Sequence, residues 1–350
     1  MMRKGRSKIL NRFLAAALLI GSLVLLLVVH FVTFLYISPS SEEVNKIIEV
    51  QPGATLREVT VLLSKEHLIA QVPYFILLGK LTLTERNIKP GEYAFTTRML
   101  PLEILDSLKQ GKILTYELVV PEGYTADQIA HLVEDEKMAD YDTFMGLVND
   151  PVFIRSLGIK ASSLEGYLFP DTYYFPKKIG AVEVIQTMVA KFHDTYEPAL
   201  EERAEELNMT QNEVITLASM IEKETSSDVE RRLVSGVFHN RLRKKMPLQS
   251  DPTVIYALMP NFHRTLYKRD LRTDSPYNTY QHIGLPPGPI ANPGRESLYA
   301  ALYPDNVAYL YFVSKNDGTH YFSSTLQEHN RAVRKYQKRK VGKTVMREGL

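Results

Sequence analysis

The chain of 350 residues contains no cysteine, which excludes disulfides, thiolate metal sites and cysteine nucleophiles. It contains no tryptophan, so any aromatic platform for a sugar ring must be built from its 20 Tyr and 14 Phe. A large excess of either charge is also missing: 42 Lys and Arg face 40 Asp and Glu. Five of the basic residues, Arg3, Lys4, Arg6, Lys8 and Arg12, precede the first acidic one, Glu42, so 37 of the 42 face the 40 acidic residues in the rest. A body so close to neutral lacks the basic surface that nonspecific nucleic-acid binding requires. The nine His are scattered without an HExxH pattern, and no metal or cofactor site is expected.

One long hydrophobic run is present. Phe13 to Ile37 carries no charge and exceeds the ~20 residues that cross a bilayer. A cleaved signal peptide has a shorter apolar core, and the small-residue run Ala15-Ala16-Ala17 lies at the wrong end for cleavage. The segment 13–37 is therefore expected to be an uncleaved transmembrane helix. The basic segment 1–12 puts the N-terminus in the cytoplasm and everything after Ser38 outside.

Beyond a polar spacer, 38–45, the pattern is α+β. Ile47 to Val50 predicts a strand, Gln51 to Ala54 a turn, and Thr55 the cap of a helix with apolar Leu56, Val59, Leu62 and Leu63. A second helix over Val72–Lys80 and a strand over Glu92–Phe95 complete a βααβ order that resembles a LysM-like glycan-binding unit, with an adjoining helix from Pro101 bringing the domain to 46–112. At an offset of 70 residues Val120, Gly123, Thr125, Leu132 and Val133 repeat Val50, Gly53, Thr55, Leu62 and Leu63, again as strand, glycine turn, threonine cap and helix. A larger mixed domain, 113–337, and a basic tail, 338–350, complete the expected organisation.

Two segments concentrate candidate chemistry. Leu164 to Tyr173 mixes aromatics, carboxylates and turn residues, as a carbohydrate cleft or a structural loop would. Thr210 to Glu213 forms a capping box, and the following helix places Glu222 at one edge of an apolar stripe and Glu224 near the other. A carboxyl at such an edge is partly desolvated, which favours the protonated form that a general acid needs. Helical geometry nominates both and does not choose.

The runs Ala218-Ser219-Met220-Ile221-Glu222-Lys223-Glu224-Thr225, Asn240-Arg241-Leu242, Leu248 to Tyr256, Ser275 to Tyr280 and Gly284 to Ile290, in this order, closely resemble the endolytic murein transglycosylase (YceG-like) family over about 46–337. The resemblance implies a lyase anchored in the bacterial inner membrane that needs no cofactor. It would cut the bond between N-acetylmuramic acid and N-acetylglucosamine inside glycan strands, leaving 1,6-anhydro ends and limiting nascent strand length near synthases and the division machinery. It implies Glu222 as the acid/base, with Gln249, Asp251, Asn278 and Tyr280 as sugar-binding or positioning residues. Arg241 could pair with a carboxylate inside the domain or meet substrate. Two rivals remain: a hydrolase using Glu224, Asp251 or Asp171 as a second carboxylate, and a wall-binding scaffold without activity.

Overall fold

The computed structural model describes residues 3–260, 262 and 264–337, so the basic tail 338–350 lies outside the described residues. The chain is mixed α and β and divides into two compact units, Met1–Tyr116 and from Glu117 onward.

The first unit contains α1 (Arg3–Tyr36), β1 (Asn45–Val50), α2 (Leu56–Lys65), α3 (Val72–Leu81), β2 (Gly91–Thr96) and α4 (Pro101–Gln110). Within α1, Phe13–Tyr36 is long and apolar enough to cross a membrane, and it is the one such helix among the described residues. β1 and β2 pair antiparallel, with Ile48 opposite Tyr93 and Val50 opposite Gly91. A two-stranded ribbon is not stable alone. Here α2, α3 and α4 cover it, and Ile48, Val50, Leu63, Phe75, Tyr93, Phe95 and Leu108 share one core. The last turns of α1 join that core through Phe34, with Phe31 and Leu35 packed against it.

Local signals set the element ends. Thr55 caps α2 in a reciprocal box with Glu58, and Thr125 does the same for α5 (Ala126–Asp135) with Gln128. The glycines before them hold nearly identical left-handed backbones, φ +78° at Gly53 and +77° at Gly123. The 70-residue repeat is thus a repeated way of turning from strand to helix.

The second unit continues with β3 (Tyr116–Val119) leading into α5, then α6 (Tyr141–Val148), α7 (Pro151–Ser156), β4 (Thr172–Phe175), α8 (Ala181–Thr195) and α9 (Pro198–Glu206). It ends with α10 (Gln211–Glu224), α11 (Asp228–Arg243), α12 (Asp251–Leu258), α13 (Arg295–Leu302), β5 (Tyr311–Ser314), β6 (His320–Ser323) and α14 (Leu326–Tyr336). β3 pairs with β4, and β5 pairs antiparallel with β6. The centre of this unit is α10, in which every residue from Val214 to Ile221 is buried. The helix is therefore enclosed on all sides, more completely than an apolar stripe suggests. Its two interior hydroxyls are satisfied: Thr216 donates to the Asn212 carbonyl at 2.6 Å and Ser219 to the Thr216 carbonyl at 2.7 Å, while Ser219 accepts from the Ile290 amide at 3.0 Å.

Candidate active site at the end of the central helix

The buried α10 emerges only at its last turn, where Glu222, Lys223 and Glu224 follow Ile221. Two residues apart on a helix is about 200°, so the two carboxylates leave on different sides. Their surroundings differ accordingly.

Glu222 enters a structural clamp. Its side chain is 7% exposed, as is that of Arg231, whose Nη2 lies 3.3 Å from Glu222 Oε1. Glu222 Oε2 accepts from the Gly294 amide at 3.1 Å. Arg231 also pairs with Asp228 and, at 3.6 Å, with Glu122. Burial, then the charge of Glu222, pushes the Glu122 carboxyl above its ordinary value, against the pull of Arg231. Lys223 closes the clamp by donating to the Gly123 carbonyl at 3.0 Å. A β-carbon at Gly294 would lie 1.9 Å from Glu122 Oε1, so the bare backbone there makes room for that carboxylate.

Glu224 faces a different cluster. Its Oε1 accepts from the hydroxyl of Ser250, which is buried and whose backbone amide in turn donates to Thr279 Oγ1 at 3.0 Å. Burial pushes the Glu224 carboxyl up to about 7, opposed by the Ser250 hydrogen bond, with Asp251 raising it and Arg241 lowering it. Asp251 is exposed and its Oδ1 accepts from the Tyr280 hydroxyl at 2.5 Å. Gln249 has an exposed side chain on a left-handed backbone, φ +51°, with its amide donating to the Thr279 carbonyl at 3.1 Å. Two of the four residues singled out as sugar-binding, Asp251 and Tyr280, thus present polar groups near Glu224, and Gln249 precedes Ser250 in the same loop. Asn278 does not present its side chain. It is 0% exposed, donates to the carbonyls of Leu271 and Thr273, and accepts from the Tyr280 amide, so it holds the loop that carries Tyr280.

Arg241 resolves towards architecture: its Nε donates to the Leu310 carbonyl and its Nη1 to the Leu248 carbonyl, each at 2.7 Å, with the guanidinium 5.2 Å from the Tyr311 ring centre. It draws β5 against the loop before Ser250. His320 is likewise structural, with Nδ1 at 2.7 Å from Glu230 Oε2. In Leu164–Tyr173 the rings of Tyr167 and Tyr173 are buried, 1% and 7% exposed, and fill core. Asp171 forms an ion pair with Lys191 at 2.8 Å, whose hydrogen bond holds the carboxyl below its ordinary value.

Two residues of this site carry no advance signal in the sequence, while Glu165 lies in the aromatic and acidic segment Leu164–Tyr173. Glu122 and Gly294 reach Glu222 from turns about 100 and 70 residues away. Glu165, 6% exposed, accepts from the Ala126 amide with both oxygens at 3.1 Å, from Asn292 Nδ2 at 3.1 Å and from the Tyr256 hydroxyl at 3.3 Å. Burial pushes it up to about 7. It joins the start of α5 to the segment before Gly294 and to α12. Two open depressions, about 520 and 360 Å³, share Arg295; the larger is lined also by Arg231 and the smaller by Glu122, and neither by Glu222 or Glu224. Among the described residues no cluster of three His, Cys, Asp or Glu could hold a metal.

Comparison with known proteins gives the arrangement a family. The chain is 35% identical over 305 residues to the endolytic murein transglycosylase of Bacillus subtilis strain 168, covering 83% of this chain and 84% of that protein. The protein of the same name from Streptococcus pneumoniae strain D39 is 30% identical over 315 residues, covering 81% of this chain and 57% of the longer relative. The crystal structure of a YceG-like protein from Listeria monocytogenes superposes with a TM-score of 0.58 at 35% identity, covering 83% of this chain and 99% of that one. The model of the YceG-like family matches residues 48–335, which include both carboxylates of α10 and every residue of the two clusters, and the chain belongs to that family.

Proposed function

We propose that the chain is a membrane-anchored lytic transglycosylase of peptidoglycan and that Glu224, not Glu222, is its acid/base. The reaction class comes from the relatives named for it. The observation that carries the residue assignment is the contrast at the end of α10. Glu222 is tied to a buried arginine and a backbone amide. Glu224 is pushed up to about 7 by burial and has Asp251 and Tyr280 near it. A general acid that must also serve as base works best with a pKa near the ambient pH.

In this mechanism protonated Glu224 donates to the glycosidic oxygen between N-acetylmuramic acid and N-acetylglucosamine, and the bond from that oxygen to C1 breaks. The carboxylate left behind accepts the proton of the muramoyl 6-hydroxyl as O6 closes onto C1. That step restores the acid and yields the 1,6-anhydro end. No water is consumed and no enzyme nucleophile is required, so one essential carboxyl suffices. While Glu224 is charged, the Ser250 hydroxyl and the Arg241 cation support it. In this reading Tyr280, Asp251 and Gln249 bind sugar hydroxyl and acetamido groups, and Asn278 holds the loop that carries Tyr280.

The βααβ order and antiparallel ribbon of the first unit support its reading as a LysM-like glycan-binding unit. The apolar stretch Phe13–Tyr36 supports a single-pass anchor, and the basic residues ahead of it support a cytoplasmic N-terminus with the catalytic unit outside, where synthases lay down glycan. The test is mass spectrometry of glycan ends released from uncrosslinked peptidoglycan by the full chain in detergent, beside Glu224→Gln and Glu222→Gln. The wild type should release anhydro ends, Glu224→Gln none, and the folded fraction of Glu222→Gln should still release them. Anhydro ends from Glu224→Gln with none from folded Glu222→Gln would return the role to Glu222. Hydrated reducing ends from the wild type would mean hydrolysis, with Asp251 the carboxylate placed to assist.

A further inference from the structure

The helix α3, Val72-Pro73-Tyr74-Phe75-Ile76-Leu77-Leu78-Gly79-Lys80-Leu81, is apolar almost all round, yet only Phe75, Leu78 and Gly79 are buried by its own unit. Helices with one buried face ordinarily carry polar residues on the other. Here the outward face shows Pro73, Leu77 (43% exposed) and Leu81 (66%), with Lys80 among them. Leu83 follows, 77% exposed on a left-handed backbone, φ +57°, a conformation unfavourable for a bulky side chain that gains nothing within the unit.

The position of this face is set by α1. Tyr74 packs its ring against His30, Phe31 and Phe34, with centroids 5.4, 5.6 and 5.7 Å apart, and Gln71 Nε2 lies 3.1 Å from His30 Nε2. Leu81, seven residues after Tyr74, lies on nearly the same side of the helix, so the apolar face borders α1. The stretch Phe13–Tyr36 rises about 36 Å at 1.5 Å per residue, against a hydrocarbon core of about 30 Å. With the start of this stretch at one surface, the segment from His30 to Phe34 falls at the other. α3 is therefore pinned at the depth where acyl chains give way to headgroups.

We propose that α3 and Leu83 form a second, interfacial contact with the bilayer that α1 spans, Leu77, Leu81 and Leu83 entering the outer edge of the acyl region and Lys80 reaching back to lipid phosphates. The occupant of the face is lipid, because the face is continuous with a helix that lipid already surrounds. A helix lying in the interface buries its apolar side to this shallow depth, and a flanking lysine extends to the headgroups. The inference rests on the anchor reading of α1 and adds to it a fixed footprint on the membrane.

The chain has no tryptophan, so a single introduced one reports without background. The full chain carrying Leu81→Trp, with Leu77→Trp as a second probe should the first misfold, is reconstituted into phosphatidylcholine and phosphatidylglycerol vesicles whose acyl chains are brominated near the headgroup or near the methyl end. Leu25→Trp reports on the anchor, and Val229→Trp, at an 83% exposed position of the second unit, gives the unquenched reference. The expected result is quenching of the α3 probe, stronger with bromine near the headgroup, and an emission maximum to the blue of Val229→Trp. Quenching of Leu25→Trp with an α3 probe that matches Val229→Trp would overturn the interfacial contact and leave the anchor standing. An unquenched Leu25→Trp would overturn both.

Discussion

Glu222 and Glu224 sit two residues apart on either side of Lys223, and chemistry follows from what each one touches. Replacing Glu222 by Gln leaves the buried guanidinium of Arg231 without its most buried partner, and breaking such a pair from one side costs about 3–5 kcal/mol. The expected outcome is a lowered melting temperature with activity per folded molecule retained, read by calorimetry and product analysis together. Replacing Glu224 by Gln should lower kcat by roughly 10²–10⁴-fold with little loss of stability, since the shape is kept and the titrating proton removed. With Glu224 near 7, the acid form is lost above neutrality, so kcat/KM should fall as pH rises through about 7, and the pH–rate profile checks this. Glu165 tests linkage without catalysis. Its ordinary value is 4.5 and its folded value is about 7, so the folded protein binds the proton more tightly. The stability this confers is complete below about 4.5 and is lost as pH rises to about 7, to the extent of roughly 3 kcal/mol. Glu165→Gln should therefore flatten the dependence of melting temperature on pH over that window. The two α10 carboxylates were legible from helical spacing, but the surroundings that distinguish them were not: Arg231 lies on the next helix, and Gly294 and Glu122 arrive from distant turns.

Among the elements, those whose ends are chemically marked were the most legible. Thr55, Thr125 and Thr210 each cap the helix that their side chain and a Glu or Gln three residues on announce, because the hydrogen bonds that make the box are local. Thr210→Ala should cost about 1 kcal/mol in urea unfolding. What spacing could not show is that α10 is enclosed on every side, since the residues covering its polar face, Ile290 among them, come from loops without periodicity. Gly166 marks one such meeting. It holds φ +89°, and a β-carbon there would lie 2.5 Å from the Pro289 ring and 2.8 Å from the Ile215 side chain. Gly166→Ala would force apart the segment before β4, the proline-rich loop and α10, and should cost more than about 2 kcal/mol in the same assay.

For the whole molecule, composition and the one long apolar run were enough to separate a helix of membrane-spanning length from a near-neutral α+β body, and the division into two units falls at Tyr116. Each unit has its own buried core. A fragment spanning residues 113–337, which keeps β3 whole, is therefore expected to unfold in one cooperative thermal transition followed by circular dichroism. The first unit is bound more closely to α1 than a tether would require, because Phe31, Phe34 and Leu35 belong to the same packing as Tyr93 and Phe75. A body joined to a bilayer through its own interior cannot tumble. Under the proposed anchor the first unit retains sliding in two dimensions and spinning about the membrane normal, both slowed by the viscosity of lipid instead of water, so it would survey one plane at a constant height.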